Sequence, residues 1–183
     1  MALMYSHGMP TGTPLPAFDL PATDGRRYTP QSFAGAEILV VVFTCNHCPY
    51  AIASEDRLIA LQREYESRGV RFALVNPNDA ARYPEDSFAE MVRRAEEKDF
   101  PFPYLHDETQ EVARAFDAVC TPDIFVFDRA RTLRYNGRID DNWQQPERAT
   151  RHDLRTALED LLAGRALGID PVPSMGCSIK WKE

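Results

Sequence analysis

Ile38-Leu39-Val40-Val41-Val42-Phe43 is a run of six apolar, mostly β-branched residues, the pattern of a central strand covered on both faces. Directly behind it stands Thr44-Cys45-Asn46-His47-Cys48-Pro49, which holds two of the chain's four cysteines. The following stretch, AIASEDRLIALQREYESRG, places Ile52, Leu58, Ile59, Leu61 and Tyr65 near helical spacing and stops at Gly69, a C-terminal cap. Val70 to Val75 then reads as a second strand. Strand, helix and strand in this order predict a right-handed crossover in a parallel sheet, and such sheets carry their sites at the carboxyl ends of the strands. The cysteine pair lies at such an end.

The rest of the chain fits one α/β domain over residues 1–183. Residues 1–17 read as an extended lead-in rich in Pro, Gly and Thr. The segment LPATDGRRYTPQSF reads as a hairpin turning at Asp24-Gly25, with Phe18 and Leu20 directed inward. Asn76 to Tyr83 is rich in turn residues. Asp86 to Asp99 reads as a charged surface helix carrying Phe88, Met91 and Val92, and Asp107 as the cap of a helix ending near Phe116. This middle third is predicted to be an insertion between sheet strands. Ile124 to Phe127 and Leu133 to Asn136 form an antiparallel hairpin around Asp128-Arg129-Ala130-Arg131. His152 to Gly164 is the last helix, with Leu154, Leu158, Leu161 and Leu162 on one stripe, and residues 165–183, ending PVPSMGCSIKWKE, read as a tail without clear structure.

Composition narrows the function. The net charge is −7, with 27% charged residues and no basic run, which excludes tracking of a nucleic-acid backbone. The first residues lack the basic start and apolar run of a secretory signal, and no stretch has the length of a membrane span. A cytoplasmic protein without membrane contact is expected. Four cysteines are too few for a disulfide scaffold, and in a reducing compartment clustered cysteines mean catalysis or metal.

A thiolate attacks disulfides and a thiol does not, so a redox cysteine needs a lowered pKa, supplied by a helix N-terminus or a cationic histidine. The spacing of Cys45 and Cys48 on a first helical turn allows a disulfide between them, and His47 is placed to stabilise a thiolate. Two other readings remain: a zinc site completed by Cys120 or Cys177, and an inert pair. Cys120 fits a small buried hydrophobe, and Cys177 lies in a tail able to fold back over the site. His7, His106 and His152 carry no partner signature. Asp140, Asp141 and Asn142 suit a capping loop, and Trp143 and Trp181 suit packing.

Thr121-Pro122 stands about seventy residues after the cysteine pair, just before another apolar strand, and this adds a landmark. On LPAFDLPATDG, ILVVVFTCNHCPY and CTPDIFVFDRARTLRYNGRID, the chain resembles thioredoxin-fold proteins over most of its length. It is most similar to their peroxiredoxin-like branch, which includes alkyl hydroperoxide reductase and thiol-specific antioxidant proteins. The resemblance implies a central mixed sheet flanked by helices, with an N-terminal hairpin extension and a middle insertion. It also implies a cis peptide at Thr121-Pro122 beside the cysteines, with the Thr121 backbone pairing with a partner polypeptide. Val41 and Cys45 stand where peroxiredoxins have a proline and a threonine, and Thr44 stands where thioredoxin has a tryptophan. The Ile38 to Phe43 run also lacks thioredoxin's buried aspartate.

The activity implied is thiol-disulfide exchange between a Cys45/Cys48 dithiol and disulfide, with no cofactor. Protein disulfides or dithiols would be the substrates, and a reductase would recycle the enzyme. By analogy with thioredoxin, Cys45 attacks and Cys48 resolves, whereas Pro49 at the first helical position would make Cys48 the cap. The alternatives are a thiol peroxidase using Cys48 and a non-catalytic metal- or partner-binding module.

Overall fold

The computed structural model describes residues 3–183. In chain order its strands are β1 (Leu3–Tyr5), β2 (Leu20–Pro21), β3 (Arg27–Tyr28), β4 (Ile38–Phe43), β5 (Val70–Asn76), β6 (Tyr104–His106), β7 (Cys120–Thr121), β8 (Asp123–Phe127), β9 (Leu133–Asn136) and β10 (Met175–Ser178). The helices are α1 (Pro49–Tyr65), α2 (Phe88–Glu97), α3 (Glu111–Ala115) and α4 (Asp153–Leu162).

Strand β4 organises the molecule because all of its side chains are buried and alternate between two layers. Ile38, Val40 and Val42 enter a layer with Leu58 and Tyr65 of α1 and Leu158 of α4, and Leu39, Val41 and Phe43 enter a second layer with Phe18, Phe33 and Phe116. Two-sided burial of this kind leaves β4 only its backbone edges for neighbours. It pairs parallel with β5 and antiparallel with β8. A five-stranded mixed sheet of order β6-β5-β4-β8-β9 results. This is the thioredoxin fold.

The predicted hairpin is β2 and β3, with Gly25 at φ +81° and Phe18 and Leu20 buried. Helix α1 runs into a short 3-10 turn that ends at Gly69, where φ is +83° and a β-carbon would stand 2.9 Å from Glu37 Cγ. Ile52 shares the helical spacing of its neighbours but faces outward, 39% exposed.

Three segments differ from their sequence readings. The middle third supplies β6, the edge strand parallel to β5, so it is part of the sheet as well as an insertion. Three residues are too few to show a strand period. The tail contains β10, which pairs antiparallel with β7 and with β1 in a second sheet of order β1-β10-β7. Of the lead-in, residues 1 and 2 lie outside the described residues, Leu3–Tyr5 is strand, and Ser6 and Met9 are buried.

Candidate active site

The site is built where β4 hands over to α1. The Thr44 N–H donates to Val75 O at 2.8 Å and so extends the β4–β5 pairing by one residue before the chain leaves the sheet. Cys48 then takes extended backbone angles as the N-cap of α1, with Pro49 as first helical residue. Proline fits there because its missing N–H would have had no helical partner. The sulfur of Cys48 is thereby placed at the positive end of a 17-residue helix. Cys45 lies just outside it.

Asp86 fixes the loop between the two cysteines. It is fully buried, and its carboxylate accepts hydrogen bonds from the Asn46 N–H (2.7 Å), the Asn78 amide (2.7 Å) and His47 Nδ1 (2.7 Å). Asn46 is held further by Tyr104 OH (2.9 Å) and by its own donation to Glu85 O (2.9 Å). His47 stacks flat on Tyr83, with ring centroids 5.2 Å apart. Burial pushes the Asp86 carboxyl up, but His47, Asn78 and the Asn46 N–H outweigh it and hold it below its ordinary value. The same hydrogen bond raises the pKa of His47.

The two thiols are polarised in opposite directions. The Cys48 pKa is pushed down to about 5, chiefly by a hydrogen bond from Cys45, against burial and with help from Cys177 and the Ala51 N–H. Cys45 is driven well above its ordinary value by that bond to Cys48, by burial and by the negative charge of Asp86. Of the two, Cys48 is the more acidic thiol. This polarity is the reverse of the thioredoxin-based expectation. Its first cause is the Cys45–Cys48 hydrogen bond, to which the N-cap position of Cys48 adds through the Ala51 N–H. His47 acts on the thiols through Asp86, whose negative charge raises Cys45 and whose carboxylate the imidazole binds.

Thr121 and Pro122 face both sulfurs. Their peptide bond is cis. The Thr121 carbonyl accepts the neutral Cys48 thiol at 3.2 Å, and Thr121 Oγ1 lies 3.3 Å from Cys45 Sγ. Over them lies β10, with Cys177 in register with Thr121. Cys45, Cys48, Ala51 and Cys177 form one buried cluster with Tyr50 packed against it, and all four cysteines of the chain are thiols. Cys120 is buried outside that cluster, its thiol raised by burial, as its reading as a small hydrophobe predicts.

Beside the cluster a cavity of about 150 Å³ is lined by Tyr50, Pro122, Trp143 and Met175. Trp143 packs on Tyr50 at 4.1 Å, and Arg57 ties down its loop through Asp140 (2.6 Å) and the Trp143 carbonyl (3.2 Å). Trp181 lies under the Arg114 guanidinium at 4.4 Å, away from the sulfurs. Behind Pro122, fully buried Asp123 accepts from Ser6 Oγ (3.0 Å) and the Asn136 amide (3.2 Å), and burial lifts its carboxyl to about 7.

Among the described residues, ligand atoms of Cys45, His47 and Asp86 lie within 4.8 Å of one another, a group that includes neither Cys120 nor Cys177. The Asp86 oxygens are already committed to three donors and the Cys45 proton is held tightly. Those features suit thiol chemistry better than metal ligation. Asp86 and Asp123 escaped sequence reading because nothing local marks a carboxylate for burial. The Cys48 cap was signalled by Pro49.

The Redoxin family profile matches residues 10–158. No curated protein matches the sequence. A conserved protein of Geobacillus kaustophilus is 42% identical, with 100% of this chain and 97% of that one covered and a TM-score of 0.95. Two more distant structures share the fold. Peroxidoxin BcpB of Mycobacterium tuberculosis is 17% identical over 85% of this chain and 96% of its own, with a TM-score of 0.63. A Chlorobium tepidum protein described as the thiol:disulfide interchange protein DsbE is 19% identical over 88% and 100%, with a TM-score of 0.66.

Proposed function

Because the chain belongs to the Redoxin family, we propose that it is a thiol-disulfide oxidoreductase in which Cys48 attacks and Cys45 resolves. The observation that carries this reading is Cys48 at the N-cap of α1, buried in one cluster with Cys45 and set against Thr121 beside its cis bond to Pro122. The Cys48 thiolate attacks a substrate disulfide, forms a mixed disulfide and releases the first substrate thiol. Loss of that negative charge removes one of the groups that hold the Cys45 proton. Cys45 then attacks Cys48 Sγ, the second substrate thiol leaves, and a Cys45–Cys48 disulfide remains. Thr121 and Pro122 are the residues against which a substrate polypeptide would lie.

Protein disulfides and dithiols are the substrates in this reading, no cofactor takes part, and a reductase returns the disulfide to dithiol. A cytoplasmic setting would keep that cycle poised on the reduced side. No helix among the described residues is long and apolar enough to cross a membrane. Reduction of insulin with dithiothreitol as electron source tests the reading. Cys48→Ser is expected to abolish it, and Cys45→Ser/Cys177→Ser, which leaves no neighbouring thiol in the cluster, to leave a trapped mixed disulfide on Cys48. Trapping on Cys45 in Cys48→Ser instead would reverse the assignment.

One observation favours a second reading, a thiol peroxidase. Cys48 is fully buried beneath β10, which admits a small oxidant more readily than a polypeptide. Peroxide would oxidise the thiolate to a sulfenic acid, and Cys45 would condense with it, releasing water. Hydrogen peroxide consumption with thioredoxin as reductant separates the two readings.

A further inference from the structure

Gly176 immediately precedes Cys177 on β10, and a β-carbon there would stand 2.0 Å from Thr121 O and 2.6 Å from Thr121 C. Both are backbone atoms and cannot step aside. Only glycine lets β10 lie flush on Thr121-Pro122, and that contact sets the height at which the next residue meets the site. The next residue is Cys177, the register partner of Thr121, whose carbonyl stands 3.2 Å from Cys48 Sγ. Cys177 is buried in one cluster with Cys45 and Cys48. The docking continues beyond β10, since the Ile179 N–H donates to Val119 O (3.0 Å) and the Lys180 N–H to Asn78 Oδ1 (2.9 Å).

We propose that Cys177 is a third redox thiol of this chain, which closes a disulfide with Cys48 and locks β10 across the site. The proposal rests on Cys48 as the nucleophile. A polypeptide bringing a cysteine to Cys48 would have to lie where β10 lies, so Cys177 occupies the place of a substrate cysteine. After Cys48 has attacked a disulfide reagent and formed a mixed disulfide, the Cys177 sulfur attacks Cys48 Sγ and expels the second reagent thiolate, which takes up the Cys177 proton. Two protein thiols become one disulfide and the reagent disulfide becomes two thiols, so electrons and protons balance. Attack of Cys45 on Cys48 Sγ would then transfer the bond to Cys45–Cys48 and release Cys177 as a thiol, with no net redox change. Cys48–Cys177 is therefore a closed form of the enzyme and Cys45–Cys48 the form from which β10 is free to lift.

The test is oxidation of the full chain by oxidised glutathione, acid quenching and tryptic mapping without reduction. Cys45 and Cys48 lie in peptide 28–57, Cys120 in 115–129 and Cys177 in 166–180. In Cys45→Ser, peptide 28–57 is expected to be joined to 166–180, and in Cys45→Ser/Cys177→Ser that link is lost and glutathione stays on Cys48. Glutathione retained on Cys48 in Cys45→Ser, or a link to 115–129, overturns the proposal. If wild type forms Cys45–Cys48 in the same experiment, the function proposed above survives that failure. If Cys48 reacts in none of the proteins, both fall.

Discussion

Asp86 holds His47 by a 2.7 Å contact between its Oδ2 and the imidazole Nδ1, across 39 residues of sequence. The carboxylate is fully buried and the imidazole partly so. Removing one partner of a buried pair leaves the other uncompensated, at a cost of about 3 kcal/mol or more. Asp86→Ala also strips the Asn46 N–H and the Asn78 amide of their acceptor. A loss of about 3 kcal/mol in urea unfolding is expected, and with it the ordered loop between the cysteines. Asp86 is held below its ordinary value, so its share of stability is present above that value and lost as pH falls through the depressed one. His47 is raised, so its share is full below about pH 6.5 and lost as pH rises through the raised value. The stability gained from the pair is therefore greatest in the window between, and Asp86→Asn flattens the profile there.

His47→Ala leaves Asp86 negative with no counter-charge beside Cys45. The thiols then become harder to ionise, the reduced state loses its advantage, and the Cys45/Cys48 pair becomes more reducing. A shift of about 10–30 mV to more negative potential is expected by glutathione equilibration. An unchanged potential would remove His47 from thiol tuning.

Cys48 is expected to ionise near pH 5 in the reduced protein, read by the ultraviolet absorbance of its thiolate. The first group holding it down is the Cys45 thiol, so Cys45→Ala moves the midpoint upward and Cys45→Ser, which keeps a donor, moves it less. A titration centred near the ordinary thiol value of about 8.5 would contradict the polarity described here.

Gly176→Val places a branched side chain against the Thr121 carbonyl, which has no room for a β-carbon. β10 is expected to lift. Overpacking of this kind costs about 2 kcal/mol, and alkylation of Cys48 by iodoacetamide should accelerate about tenfold, the equivalent of ~1.4 kcal/mol in the opening equilibrium. Equal alkylation rates in variant and wild type would show that β10 does not guard the sulfur.

Asp123 has a carboxyl lifted by burial to about 7. Its raised value means that the folded state keeps the proton after the unfolded chain has lost it, so stability falls as pH rises from about 4 and levels off above the Asp123 value. Asp123→Asn removes that decline. Unfolding measured at both ends of the range should show the variant gaining on wild type toward alkaline pH.

The parts of this molecule legible in the sequence are those whose cause is local. The Ile38 to Phe43 run, the Asp24-Gly25 turn, the α1 stripe and the Gly69 stop each carry their reason within a few residues. Thr121-Pro122 and the cysteine pair located the site. Asp86 read as the start of a surface helix because its three hydrogen-bond partners come from other segments. β7 and β10 are too short to show a period, and their pairing brings residues 120 and 121 against 177 and 178. The order of attack was open at Pro49, where thioredoxin analogy pointed to Cys45 and helix geometry pointed to Cys48.

β10 is tethered to the domain it covers, so it competes for the edge of β7 at an effective concentration on the order of millimolar. A free peptide that binds only weakly never displaces it. For a polypeptide substrate, entry would then require displacing this segment, and selectivity would be set as a threshold rather than by a shaped pocket.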